Sequence, residues 1–221
     1  MRTVILALVA VLPWRLKRLL LVKVFRFCIP TSAYIGLSWL DVKQLEMAPE
    51  SRIGHFNVFK NLDLVQLGAS SRIGRFNLFT CVPSSNTGHY SHIVSRETAF
   101  RMGRHSAITM RHLIDCNAPV TIGDFTTVAG YASQFLTHSI DLVSCRQDAK
   151  PITVGSYCFI GTACVLLGGA NLPDHSVLGA CSCMRDFFED EKSLYAGVPA
   201  TFRKRLPEDT EYWTRTRGWV A

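Results

Sequence analysis

From Val154 to Met184 an apolar residue stands at every sixth position: Val154, Ile160, Leu166, Leu172, Leu178 and Met184. Four places after each of the first five comes a small one: Cys158, Cys164, Ala170, Ser176 and Ser182. A period of six is neither the two of a strand nor the 3.6 of a helix. It predicts an all-β solenoid, a parallel β-helix of hexapeptide repeats in which each six forms a short flat strand and a turn. Three sixes close one coil. The larger side chain fills the narrow interior, the small one fits the corner beside it, and stacked coils bury each other's faces. A β-sandwich, whose strand spacing drifts, would not hold this phase through six consecutive sixes.

The pattern extends towards the amino terminus. Ser51-Arg-Ile-Gly-His-Phe-Asn57 recurs as Ser71-Arg-Ile-Gly-Arg-Phe-Asn77, an offset of 20 residues, and Leu67, Ile73 and Phe79 keep the phase. Asn57 and Asn77 fall in the small slot, where stacked amides predict a hydrogen-bonded ladder. Coils are therefore expected from about Tyr34. The phase is lost over 84–109, after a turn-like run from Pro83 to Gly88. It returns at Met110, Cys116, Ile122 and Val128, with Ile114, Val120, Thr126 and Ala132 in the companion slots, breaks at Phe135 and resumes at Val154. The 26 residues from Val128 to Val154 hold two sixes and an insertion of about a dozen. That predicts an extruded loop at 134–153, the kind of excursion that often forms a binding face. The expected organisation is an amino-terminal segment 1–30, a β-helix 31–185 and a tail 186–221 that ends in a short helix from Pro207 to Ala221, with Trp213 and Trp219.

Residues 1–30 differ in kind. Thr3 to Leu12 is almost wholly apolar; Pro13, Trp14, Arg15, Lys17 and Arg18 follow; Leu19 to Cys28 is apolar but interrupted by Lys23 and Arg26. The unbroken run of about ten residues is half of what a membrane-spanning helix needs, and no small-x-small cleavage pattern follows it. Two readings stay open. The segment is a pair of short helices lying in an anionic membrane interface, with Trp14 at headgroup level, or it is the cap that a solenoid end requires.

Charge adds that 24 Lys and Arg against 17 Asp and Glu, a net +7, favour anionic partners such as phosphates or acidic lipid. Basic and aromatic residues are not interleaved along one platform, which argues against nucleic acid. The eight cysteines contain no C-x-x-C pair and read as small buried hydrophobes in a reducing compartment rather than as disulfides or a zinc knuckle.

The sixes, the extruded loop with its histidine and the closing Gly197-Val198-Pro199-Ala200 together resemble the left-handed β-helix hexapeptide acyltransferases. The similarity is greatest to the branch of maltose and galactoside acetyltransferases and the acetyltransferases of bacterial polysaccharide assembly, over roughly 34–205. The resemblance, not the period, implies the left hand, a homotrimer with active sites between subunits, and acetyl-coenzyme A lying along the coils. It implies direct acetyl transfer to a sugar hydroxyl, with His138 in Thr137-His138-Ser139-Ile140-Asp141 as general base. It places Gly161, Thr162, Ala163, Gly179 and Ala180 by the pantetheine arm, and Arg203 and Lys204 near the nucleotide phosphates. Cys181 replaces the usual Gly, Arg185-Asp186 a common Thr-Lys, and Thr201 a common Lys, which bears on individual coenzyme contacts.

Acyl transfer from a thioester must deprotonate the acceptor, steady an oxyanion and protonate the leaving thiolate. One imidazole can serve the first and last steps, and a backbone N–H near the loop the second. Asp141, three residues on, is the candidate partner for the second imidazole nitrogen. A cysteine acyl intermediate has only Cys145 in the loop to carry it. Two rival readings use the same scaffold. A metal enzyme like the γ-type carbonic anhydrases needs three histidines, and His55, His89, His92, His105, His112, His138 and His175 offer no evident triad, so no metal is expected. The other is a non-catalytic trimeric scaffold. The enzyme reading puts the chain in the cytoplasm, with residues 1–28 pointing to peripheral attachment at the inner face of the plasma membrane and a lipid-linked glycan as acceptor.

Overall fold

The computed structural model describes residues 2–86, 88–218 and 220, so Trp219 and Ala221 of the expected final helix lie outside the described residues. The described chain is mostly β, with two α-helices, Arg2–Ala10 (α1) and Trp14–Lys23 (α2). Its strands form three parallel ladders. The first face runs Tyr34–Ile35, Arg52–Ile53, Arg72–Arg75, Ala107–Met110, Thr127–Val128, Phe159–Ile160, Val177–Leu178 and Ser193–Gly197. The second face holds Leu78–Thr80, Leu113–Asp115, Gln134–Leu136, Val165–Leu167 and Cys183–Met184; the third holds Ala99–Met102, Val120–Ile122, Ile152–Val154 and Asn171–Leu172. Two long strands, Trp39–Met47 and Val58–Leu67, run unbroken from the second face into the third. The chain therefore visits the faces in order and returns one rung further on; Ile53 pairs with Ile73, 20 residues later.

The interior follows from the period. Val154, Ile160, Leu166, Leu172, Leu178 and Met184 are all buried, as are Cys158, Cys164, Ala170, Ser176 and Ser182 beside them. Large aromatics fill the interior of the early rungs, where the Phe59 and Phe79 rings stack at 4.3 Å. The glycine of the repeated Arg-Ile-Gly has a steric reason: a Cβ on Gly54 would lie 2.1 Å from the Gly74 carbonyl oxygen of the next rung. The asparagine ladder is present and longer than the sequence pattern shows. Asn57 Oδ1 accepts the Asn77 backbone N–H (3.0 Å), Asn77 Oδ1 that of His112 (2.9 Å), His112 Nδ1 that of Ser133 (3.1 Å) and Ser133 Oγ that of Cys164 (3.2 Å).

Four expectations change. On the returning rungs the interior positions are Ile108 and Ile114, not Met110, which is only half-buried. Phe135 does not break the pattern: it is fully buried between Ile114 and Leu166, one extra corner residue having shifted the phase. The extruded segment is accordingly narrower than 134–153. Both ends of that range are ladder strands, and an antiparallel hairpin of His138–Asp141 and Arg146–Ala149 stands out between them. Finally, the first face continues past 185 through Ser193–Gly197, and antiparallel Ala200–Arg205 covers the edge that would otherwise stay open. Beyond it, among the described residues, only a 3₁₀ turn, Glu211–Trp213, forms. The segment is held by side chains instead: Trp213 packs on the His175 ring, and the Tyr212 hydroxyl donates to the Cys158 carbonyl (3.2 Å).

At the other end α1 and α2 cap the first rung through buried Leu6, Val9 and Leu21. Lys17 is buried too, its Nζ donating to the Gly36 carbonyl (2.7 Å), and burial pushes its pKa down. Trp14, half-buried, packs edge-on against Tyr34 at 5.5 Å.

Candidate active site

Two insertions leave the ladders at one corner, between the second and third faces: residues 82–98 and the hairpin that starts after Thr137. The second face delivers Asp115 at the end of one strand and, a rung later, Leu136 followed by Thr137 and His138. The Thr137 hydroxyl pins the rungs together, donating to the Asp115 carbonyl (3.0 Å) and accepting the Ala118 N–H (3.1 Å).

This stacking sets Asp115 beneath His138. Oδ2 of Asp115 accepts the His138 backbone N–H (3.1 Å) and meets its Nδ1 in a short contact. The aspartate side chain is 5% exposed and the imidazole 48%. A carboxylate can only accept, so the contact puts a proton on Nδ1 and leaves the Nε2 lone pair free; no protein group among the described residues bonds Nε2. The other oxygen, Oδ1, accepts the Asn117 N–H (3.0 Å), and Asn117 Oδ1 in turn accepts the Val82 N–H (2.9 Å) at the root of the first insertion. Arg96 ties that insertion down: it donates to the Asn117, Val82 and Pro83 carbonyls and lies 4.5 Å over the Tyr90 ring.

His138 borders a cavity of about 410 Å³ with an apolar floor of Leu113 and Leu136 and polar walls from Asn117 and Gln147. Tyr90, from the first insertion, reaches across to the hairpin, its hydroxyl 3.4 Å from Gln147 Oε1. A second opening, of about 560 Å³, continues outward between the two insertions past His92 and Arg146. Cys81 also lines the first cavity, but burial pushes its thiol up to about 12, so it is held as an un-ionised thiol.

Asp141 is not the partner of His138. Its carboxylate closes the hairpin turn, accepting the Val143 N–H (2.9 Å) and the Ser144 hydroxyl (2.7 Å). The residue three places along an antiparallel strand faces away, whereas Asp115, 23 residues back, lies directly below. Asp115, Asn117, Tyr90 and Gln147 were not singled out from the sequence. The available signal was a charged residue and an amide flanking an interior cysteine, Asp115-Cys-Asn117, in a stretch read two residues out of phase.

The other residues singled out from the sequence lie elsewhere but together. Gly161, Thr162 and Ala163 turn the corner between the first and second faces, and Gly179, Ala180 and Cys181 turn it one rung on. Gly161 and Gly179 are explained by stacking: a Cβ there would lie 2.6 Å from Ala180 N and 2.9 Å from Ala196 Cβ. Arg203 joins the same strip, donating to the Ala196 carbonyl (2.9 Å), and Lys204 follows on the exposed edge strand. The result is a low strip of small side chains ending in two exposed cations. In one chain this strip and His138 sit at opposite ends of the second face, the strip ahead of its strands and His138 just beyond them.

Among the described residues no three His, Cys, Asp or Glu side chains converge as a metal site. All eight cysteines are free.

No family model matches the chain, and no curated protein matches it. Several solved structures do. AntD, an N-acyltransferase from Bacillus cereus, in a variant complexed with dTDP-4-amino-4,6-dideoxyglucose and coenzyme A, is similar at a TM-score of 0.55 and 14% identity, over 78% of this chain and 85% of that one. AntD with dTDP and 3-hydroxybutyryl-CoA gives 0.52 and 14%, over 87% of each. A hexapeptide-repeat acetyltransferase from Vibrio cholerae O1 biovar eltor, complexed with acetyl-coenzyme A, gives 0.50 and 26%, over 65% of this chain and 72% of that one. The chain shares its fold with these hexapeptide-repeat acyltransferases.

Proposed function

We propose that the protein is an acetyl-coenzyme A-dependent O-acetyltransferase that acts on a sugar hydroxyl in glycan or polysaccharide building, on a left-handed parallel β-helix, as a homotrimer in the cytoplasm. The observation that carries this reading is His138, tethered at Nδ1 by buried Asp115 with Nε2 unengaged beside a cavity of sugar size. The shared fold with acyltransferases, one of them complexed with acetyl-coenzyme A, supports the donor.

The strip at Gly161–Ala163, Gly179 and Ala180 suits an extended arm, and Arg203 and Lys204 suit phosphates. Because strip and base lie at different corners of one chain, the trimer supplies the complete site: the strip of one subunit faces the His138 of its neighbour across a cleft. The acceptor sugar occupies the cavity under Tyr90. Its hydroxyl gives its proton to His138 Nε2 as the oxygen attacks the thioester carbon. The imidazolium is steadied by Asp115. When the C–S bond breaks, the same proton passes from Nε2 to the departing sulfur, so His138 ends as it began. Such general-base catalysis contributes roughly 10²–10⁴ in rate.

The test is acceptor-dependent release of coenzyme A from acetyl-coenzyme A, with a panel of sugars and amino sugars, by wild type and His138→Ala. A loss of at least about a hundredfold in kcat is expected. Release that the substitution leaves unchanged removes His138 from the reaction. A panel in which only amino sugars respond replaces O-transfer by N-transfer.

A further inference from the structure

We propose that the amino-terminal cap is a docking surface for an anionic lipid bilayer, which it meets lying flat. The helices α1 and α2 bury only one stripe each. On α1 the buried positions are Leu6 and Val9, while Val4, Ile5 and Leu8, with Val11 just past its end, remain exposed, Val4, Leu8 and Val11 at 63–69%. These four recur at helical spacing and form a second apolar face turned away from the body. On α2 the pattern repeats with Leu16 and Leu19, and Val24 continues it. So many large apolar side chains on one small cap mark a surface that something covers.

The charges say what covers it. The first acidic residue of the chain is Asp41, whereas residues 2–40 hold six Lys and Arg. Three of these serve the fold. Arg2 pairs with Asp41, Lys17 bonds Gly36, and Arg18 bonds Ile29. The other three, Arg15, Lys23 and Arg26, are exposed, and none has an ion pair or hydrogen bond among the described residues. An apolar face fringed by unpaired cations and free of anions is complementary to acyl chains under acidic headgroups. A second copy of the chain fits it poorly, since a two-fold contact would set the same three cations against themselves. The helices lie on the bilayer and do not cross it. They are 9 and 10 residues long, about 15 Å against a core of about 30 Å, and no helix among the described residues is long and apolar enough to span.

The experiment is co-sedimentation of the full-length protein with vesicles of phosphatidylcholine alone and of equal parts phosphatidylcholine and phosphatidylglycerol. Binding to the mixed vesicles and not to the neutral ones is expected, weakening as salt is added. The triple variant Arg15→Gln, Lys23→Gln, Arg26→Gln should bind about a hundredfold more weakly, and Leu8→Asp with Val11→Asp should not bind. All five positions are exposed, so the fold survives these changes. The proposal is overturned if the wild type ignores both vesicles, if it binds both equally, or if the triple variant binds like wild type. Self-association abolished by Leu8→Asp, without vesicle binding, would hand the surface to a second copy instead.

Discussion

One proton decides what His138 can do. With Asp115 accepting at Nδ1, the tautomer that leaves Nε2 basic is the only one the contact permits. Asp115→Asn keeps the shape and removes the obligate acceptor, so the amide can hold either tautomer and no longer steadies the imidazolium. We expect kcat for acceptor-dependent coenzyme A release to fall about 10²–10⁴-fold, the general-base contribution, because an Nε2 that carries the proton cannot take the acceptor's. Asp141→Asn should leave that rate within about twofold, because its carboxylate serves only the hairpin turn. Equal losses in the two variants would return Asp141 to the site.

The corner column shows how an element made of short strands keeps its register. Asn57, Asn77, His112 and Ser133 each accept the backbone N–H of the next rung, so the rungs are tied by directed bonds as well as by stacking. His112 occupies one such slot, nearly fully buried, with Nε2 at 2.9 Å from Thr109 Oγ1. Its Nδ1 must stay unprotonated to accept from Ser133, and burial lowers its pKa to about 4. The unfolded chain protonates His112 near the ordinary value of about 6.5, so between those two pH values the unfolded state holds more protons and stability falls as pH falls. The loss is on the order of 3 kcal/mol across that window. Urea unfolding followed between neutral and mildly acid pH should show it, and the slope should flatten in His112→Asn.

At the scale of the molecule, the two insertions leave the parallel ladders at one corner, so the loops that differ from the repeat meet over residues that belong to it. The base comes from the start of a hairpin, its partner from a ladder strand, and the cavity wall from an insertion pinned by Arg96. The strip expected to receive the coenzyme stays at another corner. The proposed homotrimer joins the two, and light scattering on the purified protein should then return three times the 24.7 kDa of one chain. A monomer with full acetyl transfer would refute that assembly.

The period of six was legible from residues alone, because each interior slot is too narrow for anything but one class of side chain, and so were the asparagine ladder and the histidine in an insertion. What the sequence could not show follows from stacking. A single added residue before Phe135 moves the phase without breaking it, since a corner absorbs what a strand cannot. The edge strand Ala200–Arg205 lacks the six-residue pattern because it runs antiparallel. Asp115 lies next to His138 only because the chain returns to the same face after a full circuit, so proximity along the chain, which favoured Asp141, was the wrong measure. Local sequence determined which residues face inward; the rung height and the corner at which the insertions emerge decided which of them meet.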